Sequence, residues 1–152
     1  MGKTACIIGL IFCFFLSGQS QDLREMNGIY YLGETPFTGK SYTYFENGTV
    51  KTESTFKKGL KNGQFKVFFE NGKVHELRYY KKNEMNGTWI TWNEKGIKVG
   101  EANYKNGTKH GRWLVWSDEG KLIYEMQYSN GSKSGTWKNY NDHGEVINSR
   151  NY

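Results

Sequence analysis

The sequence predicts an all-β protein, an elongated single-layer antiparallel meander of about five 24-residue β-hairpin repeats. Three observations lead there. Glycines at 39, 63, 87, 111 and 135 are spaced 24 apart without exception. Aromatic residues make up 16% of the 152 residues and keep the same period. Nineteen glycines stand against a single proline, which leaves no window for a long helix and favours short strands joined by tight turns.

The first segment differs in kind from the rest. "MGKTACIIGLIFCFFLSGQSQD" has a cation at Lys3, an apolar run from Ile7 to Leu16, then small and polar residues. Such a run covers about 15 Å as a helix, half of a bilayer core, so it is too short for a stable span. Residues 1–20 therefore read as a signal peptide cleaved near Gly18 to Ser20, and the protein as exported, secreted or periplasmic. Both cysteines, Cys6 and Cys13, lie inside it, so the mature chain is expected to hold no disulfide and no thiolate site.

Residues 21–38 read as an N-terminal half-repeat or cap, with Tyr30 and Gly33 in the spacing of the later units. The five units follow as 39–62, 63–86, 87–110, 111–134 and 135–152. Within each, a second glycine comes nine residues after the first, at 48, 72, 96, 120 and 144. A third falls at 59, 107 and 131, with Asn83 in the remaining place; asparagine is the side chain that best tolerates left-handed backbone. In the fourth unit "GRWLVW" reads as a strand, "SDEG" as a tight turn, "KLIYEMQY" as the return strand and "SNGSKS" as the connection. The Asn-Gly pairs supply the positive φ that hairpin turns require. The leading glycine is expected to start its strand where a side chain would crowd a neighbour.

Rings keep the register. Two places after the leading glycine stand Ser41, Phe65, Trp89, Trp113 and Trp137; five places after it, Tyr44, Phe68, Trp92, Trp116 and Tyr140; seventeen after it, Phe56, Tyr80, Tyr104, Tyr128 and Tyr152. Ser41 alone breaks the pattern. At this spacing the rings read mainly as the core of a sheet with no second layer. Residues two and five places into a strand face opposite ways, which makes Trp89, Trp113 and Trp137 the more open tryptophans and the second-choice surface, for a carbohydrate- or cell-wall-binding role by ring stacking.

Catalytic and metal chemistry find no footing. The carboxylates Glu46, Glu70, Glu94, Asp118 and Asp142 recur in every unit two residues before the second glycine, which points to turn chemistry rather than acid–base work. His75, His110 and His143 occupy unrelated places in the unit, without ligand spacing. No enzyme activity, cofactor or nucleic-acid partner is expected. The net charge of +6 names no ligand by itself, but its placement has a direction. The five short turns carry seven anions and three cations, whereas the four longer connections carry eight cations, Lys57, Lys58, Lys61, Lys81, Lys82, Lys105, Lys109 and Lys133, and one anion, Glu84. A meander puts these sets on opposite edges. The basic rim is the first-choice binding surface, for a protein partner or an anionic surface such as membrane headgroups or an acidic glycan.

The stretches "YKNGTKHGRWLVWSDEG" and "YSNGSKSGTWKNYNDHG" resemble MORN (membrane occupation and recognition nexus) repeats, in their bacterial variant form found in proteins described as YwqK-type antitoxin components. The resemblance covers about residues 28 to 152. It implies a non-catalytic repeat scaffold with an antitoxin- or immunity-like binding role.

Overall fold

The computed structural model describes residues 22–152, so the expected signal peptide lies outside the described residues. Fourteen strands and no helix make up the described chain. Ten form one antiparallel meander: β4 (Gly39–Tyr44), β5 (Val50–Lys57), β6 (Leu60–Phe68), β7 (Val74–Lys81), β9 (Gly87–Trp92), β10 (Lys98–Lys105), β11 (Thr108–Trp116), β12 (Leu122–Ser129), β13 (Ser132–Tyr140) and β14 (Val146–Asn151). The two-residue β8 (Glu84–Met85) pairs with β7 beside this path. Three short strands, β1 (Arg24–Met26), β2 (Ile29–Leu32) and β3 (Thr35–Pro36), form a separate sheet at the N-terminal end.

Two turn types alternate along the meander. At one edge, the second glycine closes a tight turn: Gly120 N–H donates to Ser117 O at 2.9 Å and Ser117 N–H to Lys121 O at 2.8 Å, with Gly120 at φ +83°. Side chains of the first or third turn residue hold these turns, Asn47 on Thr49 N–H, Asn71 on Lys73 N–H, Asn93 on Ile97 N–H and Asn141 on Glu145 N–H. The carboxylates expected to do this make none of these bonds. At the other edge the connections are only two residues long. Asn106 and Gly107 have φ +48° and +76°, the paired positive angles of a type I′ turn, whose twist matches that of the strands it joins.

The longer connections expected from the sequence are therefore strand up to the turn itself. Lys57, Lys61, Lys81, Lys105, Lys109 and Lys133 lie in strands, and only Lys58 and Lys82 occupy turn positions. The leading glycine starts its strand at Gly39 and Gly87, but at Gly63, Gly111 and Gly135 it does not. Gly111 sits inside β11 at φ +80°, where the register against β10 shifts between Ala102 and Tyr104. It is a β-bulge, the same device recurring at Gly63 and Gly135, and it turns the hairpin tip relative to the strands below. Successive tips then bond to one another: Gly59 N–H to Phe37 O (2.7 Å), Asn83 N–H to Lys61 O (2.9 Å), Gly107 N–H to Met85 O (2.9 Å) and Gly131 N–H to Lys109 O (2.8 Å).

A single layer buries little completely. Phe37, Phe56, Leu114 and Tyr128 are the buried apolar residues, and none is sealed. Stability must come from backbone ladders and cross-strand side-chain pairs rather than from a sandwiched core.

Candidate binding surface

Cross-strand register sorts the side chains onto two faces. Ser54 stands opposite Phe65 and Phe65 opposite Arg78; Ala102 lies between Trp89 and Trp113; Trp113 faces Met126 and Trp137 faces Arg150. The rings two places and seventeen places after the leading glycine share this face, Phe65 and Tyr80 as a pair at 6.0 Å and those from Trp89 to Tyr152 as one column. Centroids run Trp89–Tyr104 6.1 Å, Tyr104–Trp113 5.2 Å, Trp113–Tyr128 5.1 Å, Tyr128–Trp137 5.2 Å and Trp137–Tyr152 4.8 Å. These are ordinary aromatic-pair separations. Indole N–H groups fix the column to the backbone, Trp113 Nε1 donating to Asn103 O at 3.0 Å and Trp137 Nε1 to Gln127 O at 2.9 Å. Trp89 Nε1 has no partner among the described residues; the equivalent carbonyl, Tyr79 O, accepts from Asn86 N–H instead.

Ser41, the missing ring, is explained at the N-terminal end. Phe56, which would have packed on a ring there, receives Tyr30 at 4.8 Å and Phe37 at 5.8 Å from the small sheet. Tyr30 N–H also bonds Gly59 O at 2.8 Å, which seats that sheet on the first tip. Asn83 adds a second tie. Its Nδ2 donates to Gly28 O and its Oδ1 accepts from Lys61 N–H, both at 2.6 Å. The sequence marked Asn83 only as a stand-in for glycine; nothing in the 24-residue period signals a bond to a residue 55 positions away.

The basic rim divides into two groups. Lys57, Lys58, Lys81, Lys82 and Lys105 are exposed on three consecutive tips, and none forms an ion pair among the described residues. Lys61, Lys109 and Lys133 instead reach over the ring column. Lys109 Nζ lies 4.4 Å from the Trp113 centroid and 4.9 Å from that of Tyr128; Lys133 Nζ lies 4.4 Å from Trp137 and 4.6 Å from Tyr152. Lys61 Nζ sits about 5.5 Å from each of Tyr30, Phe65 and Tyr80. The tip between them carries Met85 in that place, and there the Arg78 guanidinium covers Trp89 at 4.3 Å and Phe65 at 5.4 Å. Each is a cation–π contact. Trp89, Trp113 and Trp137 are thus half-buried with a cation over each ring, and they are no more open than Trp92 and Trp116.

The opposite face pairs three of its cations with carboxylates. Lys40 pairs with Glu53 at 2.7 Å, Lys98 with Glu101 at 2.9 Å and Arg112 with Glu125 at 3.1 Å. Hydrogen bonding to Glu53 holds the Lys40 ammonium above its ordinary pKa, and hydrogen bonding to Glu125 (2.8 Å) raises the Tyr140 hydroxyl. In the ring column, burial raises Tyr104. The ring face also has a recess of about 210 Å³, floored by Thr91, Gly100 and Ala102 and walled by Trp89, Tyr104 and Trp113.

The family model described as the MORN repeat variant matches residues 37–58, 61–82, 85–106 and 109–130. Each span opens two residues before a leading glycine and ends in the tip turn, so the match follows the structural unit itself. No curated protein matches the chain. With more than half of its residues in four such units, each a hairpin with its leading glycine and its share of the ring face, the chain belongs to the MORN repeat variant family.

Proposed function

We propose that this repeat-based binding module is exported, non-catalytic, and holds an anionic macromolecular partner, in an antitoxin- or immunity-like role, against its edge of stacked tips. Export rests on the N-terminal segment with Lys3 and the apolar run from Ile7 to Leu16. The observation that carries the reading is the row Lys57, Lys58, Lys81, Lys82 and Lys105. These five exposed ammonium groups, without ion-pair partners among the described residues, stand on tips tied together through backbone hydrogen bonds. Lysines with only a solubilising role need no rigid spacing; a row held by tip-to-tip bonds keeps its pitch when a partner arrives. Anionic membrane headgroups are the second reading, favoured because the tips form one line.

Each lysine contributes about 1 kcal/mol near an anionic surface, screened over about 8 Å at physiological salt. Replacing all five with Gln is expected to abolish binding, while any single replacement is close to silent. Retention on immobilised polyglutamate and sedimentation with phosphatidylglycerol vesicles, each run across a salt series, separate the two readings. Retention unchanged by the fivefold replacement would leave the row a solubility device.

A further inference from the structure

The ring face is not filled evenly. Beside the last rings of the column, β12, β13 and β14 frame a recess of about 380 Å³ lined by Tyr124, Met126, Trp137, Asn139, Asn148 and Arg150. Small-molecule sites begin at about 300 Å³. Register sets the six residues in two rows of three on one face. Tyr124 stands opposite Asn139 and Asn139 opposite Asn148; Met126, Trp137 and Arg150 follow one side-chain step along their strands. With strands about 4.8 Å apart and successive side chains of one face about 7 Å apart, the block measures about 10 by 7 Å. The fold does not require these residues. The place of Asn139 holds Thr43, Val67, Thr91 and Val115 in the other units, and the place shared by Tyr124 and Asn148 holds Thr52, Glu76 and Gly100. Strands favour β-branched residues and are depleted of asparagine. Yet Asn139 and Asn148 stand side by side in mid-strand, and neither amide makes a side-chain hydrogen bond among the described residues. Tyr124 is 43% exposed and takes no part in the ring column. Arg150 lies 5.1 Å from the Tyr152 centroid, and no carboxylate pairs with it among the described residues. Residues that break a local rule without a packing return mark a functional site.

We propose that this recess binds a single acidic sugar residue, a hexuronic acid. Its apolar C–H face lies on the Tyr124 ring, its hydroxyls meet the Asn139 and Asn148 amides, and its carboxylate meets Arg150. Each group matches its share of the ligand. A carboxamide both donates and accepts, as a hydroxyl does, and two of them on adjacent strands serve neighbouring hydroxyls. The guanidinium fork matches a carboxylate with two parallel hydrogen bonds. Tyr124 offers a flat apolar body with a polar tip, and its open position beside the amides lets a sugar ring lie flat on it. The site uses none of the tip lysines, so it goes beyond the reading above and can fail without it.

The test follows the side-chain amide resonances of Asn139 and Asn148 while the isotope-labelled full chain is titrated with glucuronic acid. Asn139→Thr and Asn148→Thr assign those resonances. Together with Tyr124→Thr and Arg150→Met they introduce only residue types that the chain carries at the same places in other units, as Thr91, Thr52 and Met126, so the strands are kept. Glucuronic acid is expected to shift both amides in the wild-type chain. Arg150→Met should weaken its binding by about tenfold or more, and Tyr124→Thr by about fivefold. Glucose, which lacks the carboxylate, should bind the wild-type chain about tenfold more weakly than glucuronic acid and should match it on Arg150→Met. Replacing Lys57, Lys58, Lys81, Lys82 and Lys105 with Gln should leave the titration unchanged. If neither amide moves in the wild-type chain, the proposal falls, whatever the variants do. If glucose and glucuronic acid bind the wild-type chain alike, the acidic class is wrong. If adenosine monophosphate binds through Tyr124 and Arg150 and glucuronic acid does not, the site takes a nucleotide and the sugar is overturned. If the fivefold variant loses glucuronic acid while Arg150→Met keeps it, the contact lies at the tips and the recess is not the site.

Discussion

Asn83 illustrates how one residue can satisfy a repeat and escape it. Its φ of +71° is the turn geometry that glycine meets at 59, 107 and 131, so the period is preserved. Its amide then makes two hydrogen bonds that glycine cannot, one to the β1–β2 turn at Gly28 and one to Lys61 in β6. Asn83→Gly keeps the turn and removes one of the ties that hold the small N-terminal sheet; a loss of about 1–2 kcal/mol is expected, the range for two partly buried hydrogen bonds offset by easier backbone. Asn106→Gly is the matched control. Asn106 has φ +48° and its side chain makes no hydrogen bond among the described residues, so its replacement should fall within about 0.5 kcal/mol of wild type. Urea unfolding of the two variants checks the difference, and equal losses would mean that the Asn83 amide does not hold the small sheet. The leading glycines, by contrast, were legible as required residues but not as bulges. A sequence period records that Gly111 is needed; only the register shift opposite Asn103 shows that positive φ in mid-strand is the reason.

At the scale of the strand and its neighbours, hairpin alternation and the ring places were readable because both depend on local spacing, period two along a strand and 24 along the array. The placement of the lysines was not, because it depends on where a strand ends. Reading "KNGTKH" as one connection puts Lys105 and Lys109 on the same rim. In the fold the turn is two residues long, so Lys109 belongs to β11 and its stem follows the ring column, while Lys105 stays on the exposed edge. The Ser41 gap was visible as an exception, but the rings that fill it come from Tyr30 and Phe37 outside the period. The column predicts unequal energetics along its length. Tyr104 lies between two tryptophans, whereas Tyr152 meets Trp137 alone and is 43% exposed. Tyr104→Ala is expected to cost about 2–4 kcal/mol, somewhat below the value for a fully buried ring, and Tyr152→Ala about 1 kcal/mol. Thermal or urea denaturation of the pair reads this directly, and equal losses would show that the rings do not act as an internal stack.

For the molecule as a whole, the account is of a one-dimensional array in which each unit closes its rings, bulge and tip against its neighbours and against little else. Among the described residues no distant layer covers the sheet, so stability should be close to a sum of unit and interface contributions. The seam between the second and third units is the irregular one: the strand is split into β8 and β9, Trp89 Nε1 lacks a partner among the described residues, and Arg78 rather than a lysine covers the column. Deleting residues 87–110 joins Asn86 to Gly111 in register and brings Trp113 into the place of Trp89, beneath Arg78. Trp113 then loses the Asn103 carbonyl, an added cost of about 1 kcal/mol beyond that of the lost unit. Urea unfolding of this shortened chain, followed by circular dichroism, is the most direct test of the array. The account predicts a folded β-sheet with one cooperative transition, a lower midpoint and a smaller denaturant slope, in keeping with the smaller surface exposed on unfolding. An unfolded chain, or a sheet that melts in two separate steps, would contradict it.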